Sequence, residues 1–278
     1  MEETNQNSCS PEMCESCAKA GTCHSKPQDF IKPANPYSQV KKVIAVLSGK
    51  GGVGKSMVTA SLARNLREEG YTVGILDADI TGPSIPKMYG VHERAKGSEA
   101  GMFPCIAKDG TRIMSINLLL DSEEAPVIWR GPIIAGVVEQ FWTDVAWGDL
   151  DVLLVDMPPG TGDVPLTVFQ SLPVDGAVIV TSPQDLVQMI VKKAYHMAEQ
   201  MKIPILGVIE NYSYIACPDC GKKIPLFGES HIDEIAKEMS LDVLGKIPVD
   251  ADLAKAVEEE RFYEMTNVYI KSIVEKLQ

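Results

Sequence analysis

The chain has 278 residues, 45% of them hydrophobic, enough for one larger α/β domain with a sizeable core. Acidic residues outnumber basic ones by 38 to 26, a formal charge of −12, which excludes broad electrostatic binding to nucleic acid or anionic lipid. No apolar run approaches the roughly 18 residues of a membrane span, and the acidic N-terminus MEETNQNSCSPEMCESC lacks the pattern of a secretory signal, so a cytoplasmic location is expected.

Residues 1–38 hold four of the seven cysteines, Cys9, Cys14, Cys17 and Cys23, with four prolines and almost no apolar periodicity. Such a segment buries too little surface to fold alone and is either disordered or organised by a metal. Its stretch KPQDFIKPANPYS reads as a linker. Disulfides are disfavoured in the cytoplasm, so clustered thiols read as ligands. Four within fifteen residues suggest a locally held 4Fe-4S cluster. His24, beside Cys23, reads as a solvated linker histidine.

From Lys42 onward strands and helices alternate. The first strand, Val43–Leu47, runs into Ser48-Gly49-Lys50-Gly51-Gly52-Val53-Gly54-Lys55-Ser56, and a helix over Ser56–Glu69, with Met57 at its start, follows. The glycines let the backbone wrap around phosphates, and the helix start adds its positive dipole end. In a loop of this pattern Lys55 reaches the β- and γ-phosphates of ATP and the Ser56 hydroxyl ligates Mg²⁺. Lys50 is a second lysine that the general pattern does not require. The next strand, Val73–Leu76, leads into Asp77 and Asp79. Asp79 is placed to orient an attacking water, with Asp77 supporting the metal shell. The isolated Cys105 reads as a buried, inert thiol.

A helix is predicted over Ile133–Val145, then a strand over Val152–Val155 that ends in Asp156, suited to bind Mg²⁺ through water. Residues 157–163 follow as a mobile loop. Next come a helix at Pro165–Leu172, a strand at Ala177–Val180, a helix at Leu186–Met201 and a strand at Ile205–Ile209. Cys217-Pro218-Asp219-Cys220-Gly221 comes next. Two cysteines two apart bind one edge of a cluster or part of a metal site, and tetrathiolate ligation needs four. A homodimer supplies the second pair by symmetry; alternatively, CPDCGKK is one knuckle of a zinc ribbon that pairs with Cys14 and Cys17. A helix is predicted over Glu229–Met239. The spacing of Phe262, Met265, Tyr269, Ile273 and Leu277 predicts a packing helix over Arg261–Leu277. Runs apolar on both faces, alternating with helices, predict a doubly wound, mostly parallel α/β sheet over residues 39–278. Ligand loops then lie at the carboxyl ends of its strands.

Residues 50–56 resemble the deviant Walker A motif of the MinD/ParA/nitrogenase-iron-protein class, whose extra lysine, here Lys50, crosses to the partner subunit's nucleotide. Further stretches are similar to the Mrp/ApbC family of iron–sulfur carrier ATPases over residues 40–278. They are 77–84 (DADITGPS), Trp129-Arg130-Gly131-Pro132, 156–163 (DMPPGTGD), Glu210-Asn211-Tyr212-Ser213 and Cys217-Pro218-Asp219-Cys220. The resemblance implies a nucleotide-sandwich homodimer with adenine contacted by Asn211, whose amide both donates and accepts. The turn GKIPVD, with Pro248, would flank the base. It also implies a 4Fe-4S cluster bridging two subunits through Cys217 and Cys220, and delivery of that cluster to apo iron–sulfur acceptor proteins. Some members carry an N-terminal four-cysteine extension with the same x2 and x5 spacings; the gap between Cys9 and Cys14 is shorter here. The alternatives are a MinD/ParA-like positioning ATPase, a zinc-stabilised regulatory ATPase, and a reductase like the nitrogenase iron protein.

Overall fold

A computed structural model describes residues 30–80, 82, 84–120, 131–183 and 187–277. Cys9, Cys14, Cys17, Cys23 and His24 lie outside the described residues, as do Thr81, Pro83, Trp129 and Arg130. The chain divides into two compact units, residues 1–31 and 32–278. Of the first, only Phe30 and Ile31 are described, and both are exposed.

In the second unit the strands, in chain order, are β1 (Ser38–Ser48), β2 (Val73–Asp77), β3 (Gly97–Ser98), β4 (Gly101–Met102), β5 (Cys105–Ile106) and β6 (Arg112–Met114). They continue with β7 (Gly148–Asp156), β8 (Gly176–Thr181), β9 (Ile205–Glu210), β10 (Ile215–Ala216), β11 (Lys223–Ile224) and β12 (Val243–Lys246). Eight of them form one sheet in the order β12-β9-β8-β1-β7-β2-β6-β5. Every pairing is parallel except that of β5 with β6. β3 with β4, and β10 with β11, make separate two-stranded ribbons.

The helices are α1 (Lys55–Glu68), α2 (Ile85–Met88), α3 (Gly131–Thr143), α4 (Asp163–Ser171), α5 (Val187–Gln200), α6 (Ile232–Glu238) and α7 (Ala251–Glu258). Helices cover both faces of the sheet, and the central strands show why. Along β1, Ile44 and Val46 point into one core with Val58, Leu62 and Leu66 of α1. Val43, Ala45 and Leu47 point the other way, against Val138, Phe141 and Trp142 of α3 and Val168 and Phe169 of α4. A strand buried on both sides must be apolar at every position, so the period-two signal disappears and a continuous run remains. A third cluster seats α5 and α6 through Val191, Ala194, Ile232 and Ile235 on Ile179 and Val208.

The doubly wound sheet stands as predicted, and five predicted strands and five predicted helices fall on observed elements. The C-terminal helix is a correction. Residues 261–277 contain only two short 3₁₀ turns, Phe262–Glu264 and Val274–Lys276. Asn65 of α1 donates its Nδ2 to the Asn267 carbonyl and accepts the Asn267 N–H, each at 2.9 Å. Those two backbone groups are therefore taken by α1, and Lys271 N–H donates to Leu244 on β12 instead of to its own segment. The apolar residues of that spacing still pack, since Phe262, Ile273 and Leu277 are buried. Their four-residue spacing reflects a segment laid across the core.

Candidate functional site

β1, β2 and β7 run parallel and end side by side, so their last residues share one edge. Register pairs Val46 with Asp156, and Asp77 with Asp156. The phosphate loop leaves β1 at this edge. Gly54 caps α1 at φ 75°, in the left-handed region that only glycine adopts freely. A Cβ there would lie 2.2 Å from Asn211 Nδ2, so both the φ value and the close approach demand glycine. No side chain caps the helix, which leaves its first-turn N–H groups for an anion.

Lys55 is buried, with Nζ 2.7 Å from Asp156 Oδ1 and 4.0 Å from Asp79 Oδ2. Ser56 donates its hydroxyl to Asp156 Oδ2 at 2.6 Å, and Thr59 donates to Asp156 Oδ1 at 2.7 Å. Because the Ser56 proton goes to Asp156 and Lys55 Nζ approaches its oxygen at 3.5 Å, one lone pair on that oxygen remains for a cation. A hydroxyl beside carboxylates is a hard-oxygen donor set that suits Mg²⁺. Among the described residues no group of three His, Cys, Asp or Glu side chains holds a metal by itself. Mg²⁺ is ordinarily held by one or two carboxylates together with waters and substrate phosphates.

Asp77 is fully buried and accepts from Ser115 Oγ and from the Asp79 N–H, each at 3.2 Å. Burial, then the neighbouring Asp156 charge, push its carboxyl up to about 8, against the opposing pull of Lys55. The sign follows from linkage. The folded, nucleotide-free protein keeps a proton that the unfolded chain releases in the ordinary carboxylate range. Its stability is therefore expected to fall as pH rises from that range toward about 8. Thermal melts in chelator across this interval should show a flatter decline for Asp77→Asn than for wild type. Parallel curves would count against the assignment.

The loop opens into a cavity of about 500 Å³, the size of a cofactor pocket. Residues 50–57 line it with Ser48, Asp79, Pro159, Asn211 and Pro248, so most of the predicted nucleotide residues meet in one place. Asn211 is buried, donating Nδ2 to the Val53 carbonyl and accepting from Tyr212 N–H, each at 2.9 Å. It therefore braces the phosphate loop directly. Sequence reasoning missed the cavity's apolar wall, which is made by Met88 of α2 and by Leu253, Ala254 and Val257 of α7. It also missed Thr59 and Ser115. Thr59 sits one helical turn after Lys55, a spacing visible in the sequence; Ser115 carried no such signal.

The second cluster lies on the connection after β9. β10 and β11 pair as a ribbon, with Ile215 opposite Ile224 and Ala216 opposite Lys223. At its end Cys217 N–H donates to Lys222 O, and Gly221 N–H donates to Cys217 O while adopting φ 69°. Backbone N–H groups of Cys220 and Asp219 point at the Cys217 sulfur and hold its thiol below the ordinary value. A tight turn that aims amides at sulfur stabilises a thiolate, the form that ligates metal. Cys217 is half-buried and Cys220 exposed. Cys105, on β5, is half-buried rather than buried; it donates to Glu93 O at 3.2 Å, and burial pushes its thiol up. No helix among the described residues is long and apolar enough to cross a membrane.

The chain is similar to known proteins in sequence and in fold. The chain is 44% identical over 266 residues to an iron-sulfur cluster carrier protein of Clostridium perfringens, covering 90% of this chain and 93% of that one. It is also 44% identical over 279 residues to the iron-sulfur cluster carrier protein of Methanocaldococcus jannaschii, covering 95% and 96%. A nucleotide-binding protein of Archaeoglobus fulgidus, solved with ADP and containing cobalt, superposes with a TM-score of 0.75 at 44% identity, over 86% of this chain and 93% of that one. The Pyrococcus furiosus cell division ATPase MinD shares the fold, with a TM-score of 0.60 at 19% identity, over 86% of this chain and 100% of that one. The family model described as ParA, the NUBPL iron-transfer P-loop NTPases, matches residues 39–277. With a phosphate loop, its carboxylates and relatives matched over nearly their whole length, the chain belongs to this family of iron-transfer P-loop NTPases.

Proposed function

We propose that the protein is a homodimeric, ATP-hydrolysing carrier that holds a 4Fe-4S cluster between the Cys217 and Cys220 pairs of two subunits and passes it to apo iron–sulfur proteins. The observation that carries this reading is a thiolate-stabilising knuckle on the segment that also braces the phosphate loop. The names of the Clostridium perfringens and Methanocaldococcus jannaschii relatives, and the ADP and cobalt of the Archaeoglobus fulgidus protein, support it. The N-terminal cysteines Cys9, Cys14, Cys17 and Cys23 would hold a second cluster.

Lys55 lies against Asp156 and near Asp79. ATP would draw its ammonium onto the β- and γ-phosphates, as in other loops of this pattern. Ser56 and Asp156, supported by Asp77, would hold Mg²⁺, whose charge offsets that of the phosphates. Asp79 would orient the attacking water, and Lys50 would reach the partner subunit's nucleotide. Asn211 would use its second N–H and remaining lone pair on adenine, with Pro248 beside the base. Two hydrogen bonds tie the loop after β7 to β1: Met157 N–H to Val46 O and Gly160 N–H to Ser48 O at 2.8 Å for the second. Hydrolysis would release that loop. The Asn211–Val53 hydrogen bond joins the phosphate loop to the chain segment that runs on through Tyr212 and Tyr214 to Cys217.

Transfer is the decisive measurement. Protein reconstituted without oxygen is mixed with an apo-acceptor that needs a four-iron cluster, with free iron chelated. Acceptor activity is expected to return. Recovery no faster than with free iron and sulfide alone would refute the carrier reading.

A further inference from the structure

Every residue from Pro218 to Glu229 is exposed. Within this stretch Ile224, Leu226 and Phe227 are 46%, 50% and 43% exposed. They stand on and just after β11, in a ribbon whose strands are two residues long. A ribbon this short is at best marginally stable in water. Three large apolar side chains within four residues, with no core beneath, mark a surface that something covers.

Resting on the bridged reading above, we infer that Ile224, Leu226 and Phe227 form an apolar collar that docks on the same collar of a second copy of this chain. Two observations select that occupant. Among the described residues no third His, Cys, Asp or Glu joins Cys217 and Cys220. A two-fold mate supplies the missing sulfurs and, in the same motion, brings its own collar alongside. The contact is isologous, so each apolar side chain counts twice, and three become a six-member core. Charge agrees. The whole chain carries −12, which opposes self-association elsewhere. Residues 217–227 hold one carboxylate, Asp219, and two ammonium groups, Lys222 and Lys223, a mixed set that is self-complementary under two-fold symmetry. Lys223 is drawn onto the Tyr214 ring, 4.4 Å from its centroid. Docked, the collar holds the two subunits together at the sulfur ligands and keeps water from them.

The test uses the full chain with Cys9, Cys14, Cys17 and Cys23 changed to serine, and cobalt(II) alone as the probe. This parent is expected to take one ion per two chains, with sulfur-to-cobalt absorption, and to sediment as a dimer when loaded. Leu226→Asp/Phe227→Asp should bind ADP as the parent does, while its loaded dimer dissociates more than about tenfold more readily. Cobalt binding should weaken in step. Ile106→Asp, at a 68% exposed apolar residue on β5, should behave as the parent does. If the double aspartate variant loses ADP binding, Leu226→Ala/Phe227→Ala is read by the same criterion. A collar variant that dimerises and loads like the parent overturns this inference alone. A parent that takes cobalt as a monomer, or not at all, overturns the bridged reading as well.

Discussion

Lys55→Ala is expected to lower affinity for ATP with Mg²⁺ about a hundredfold, the scale of a lost charged hydrogen bond, and to abolish hydrolysis. The same substitution acts on the stability of the fold. Lys55 lies 2.7 Å from Asp156 and 4.0 Å from Asp79, and Asp77 is the register partner of Asp156 on the adjacent strand. Without the ammonium, buried Asp156 keeps its Ser56 and Thr59 donors but loses its counter-charge, which is costly. The Asp77 carboxyl, now held down in part by Lys55, should rise further, and the apoprotein should melt earlier. Lys55→Arg should not rescue binding, because a branched guanidinium does not fit where a slender ammonium is buried. Calorimetric titration and phosphate release check both effects. Retained tight binding in Lys55→Ala would remove the loop from the phosphate site.

Cys217→Ser and Cys220→Ser should each leave ATP binding intact and remove metal from the knuckle. Neither residue lines the nucleotide cavity, so the two functions separate. One substitution per chain removes two of the four sulfurs in a symmetric dimer, and a neutral serine hydroxyl does not replace a thiolate. Cys217→Ser is expected to be the more severe, since the Asp219 and Cys220 amides are spent on that sulfur. Iron and sulfide analysis after anaerobic reconstitution measures the loss. Loading equal to wild type in both variants would place the ligands elsewhere.

Much of this molecule is written locally. A phosphate loop needs glycines and a lysine at set spacing because consecutive amides must converge on one anion, and that spacing survives in one dimension. Strands buried on two faces need unbroken apolar runs, so β1, β2, β7, β8 and β9 are visible as text. Asp77 and Asp156 stand out because they follow such runs, and Cys217 and Cys220 because a knuckle is a four-residue turn.

Tertiary structure decided what depends on residues far apart in the chain. Folding buries Asp77, which raises its carboxyl, and sheet register adds to the shift by setting Asp156 beside it. Ser115 reaches Asp77 across 38 positions, and Asn211 reaches Val53 across 158. Met88 and α7 meet as one cavity wall only after the chain has closed. The C-terminal segment carries a helix-like spacing, yet Asn65 claims the backbone of Asn267 and lays it flat against α1. Periodicity reports which residues seek burial; which backbone groups remain to form a helix is settled by the partners that folding brings near.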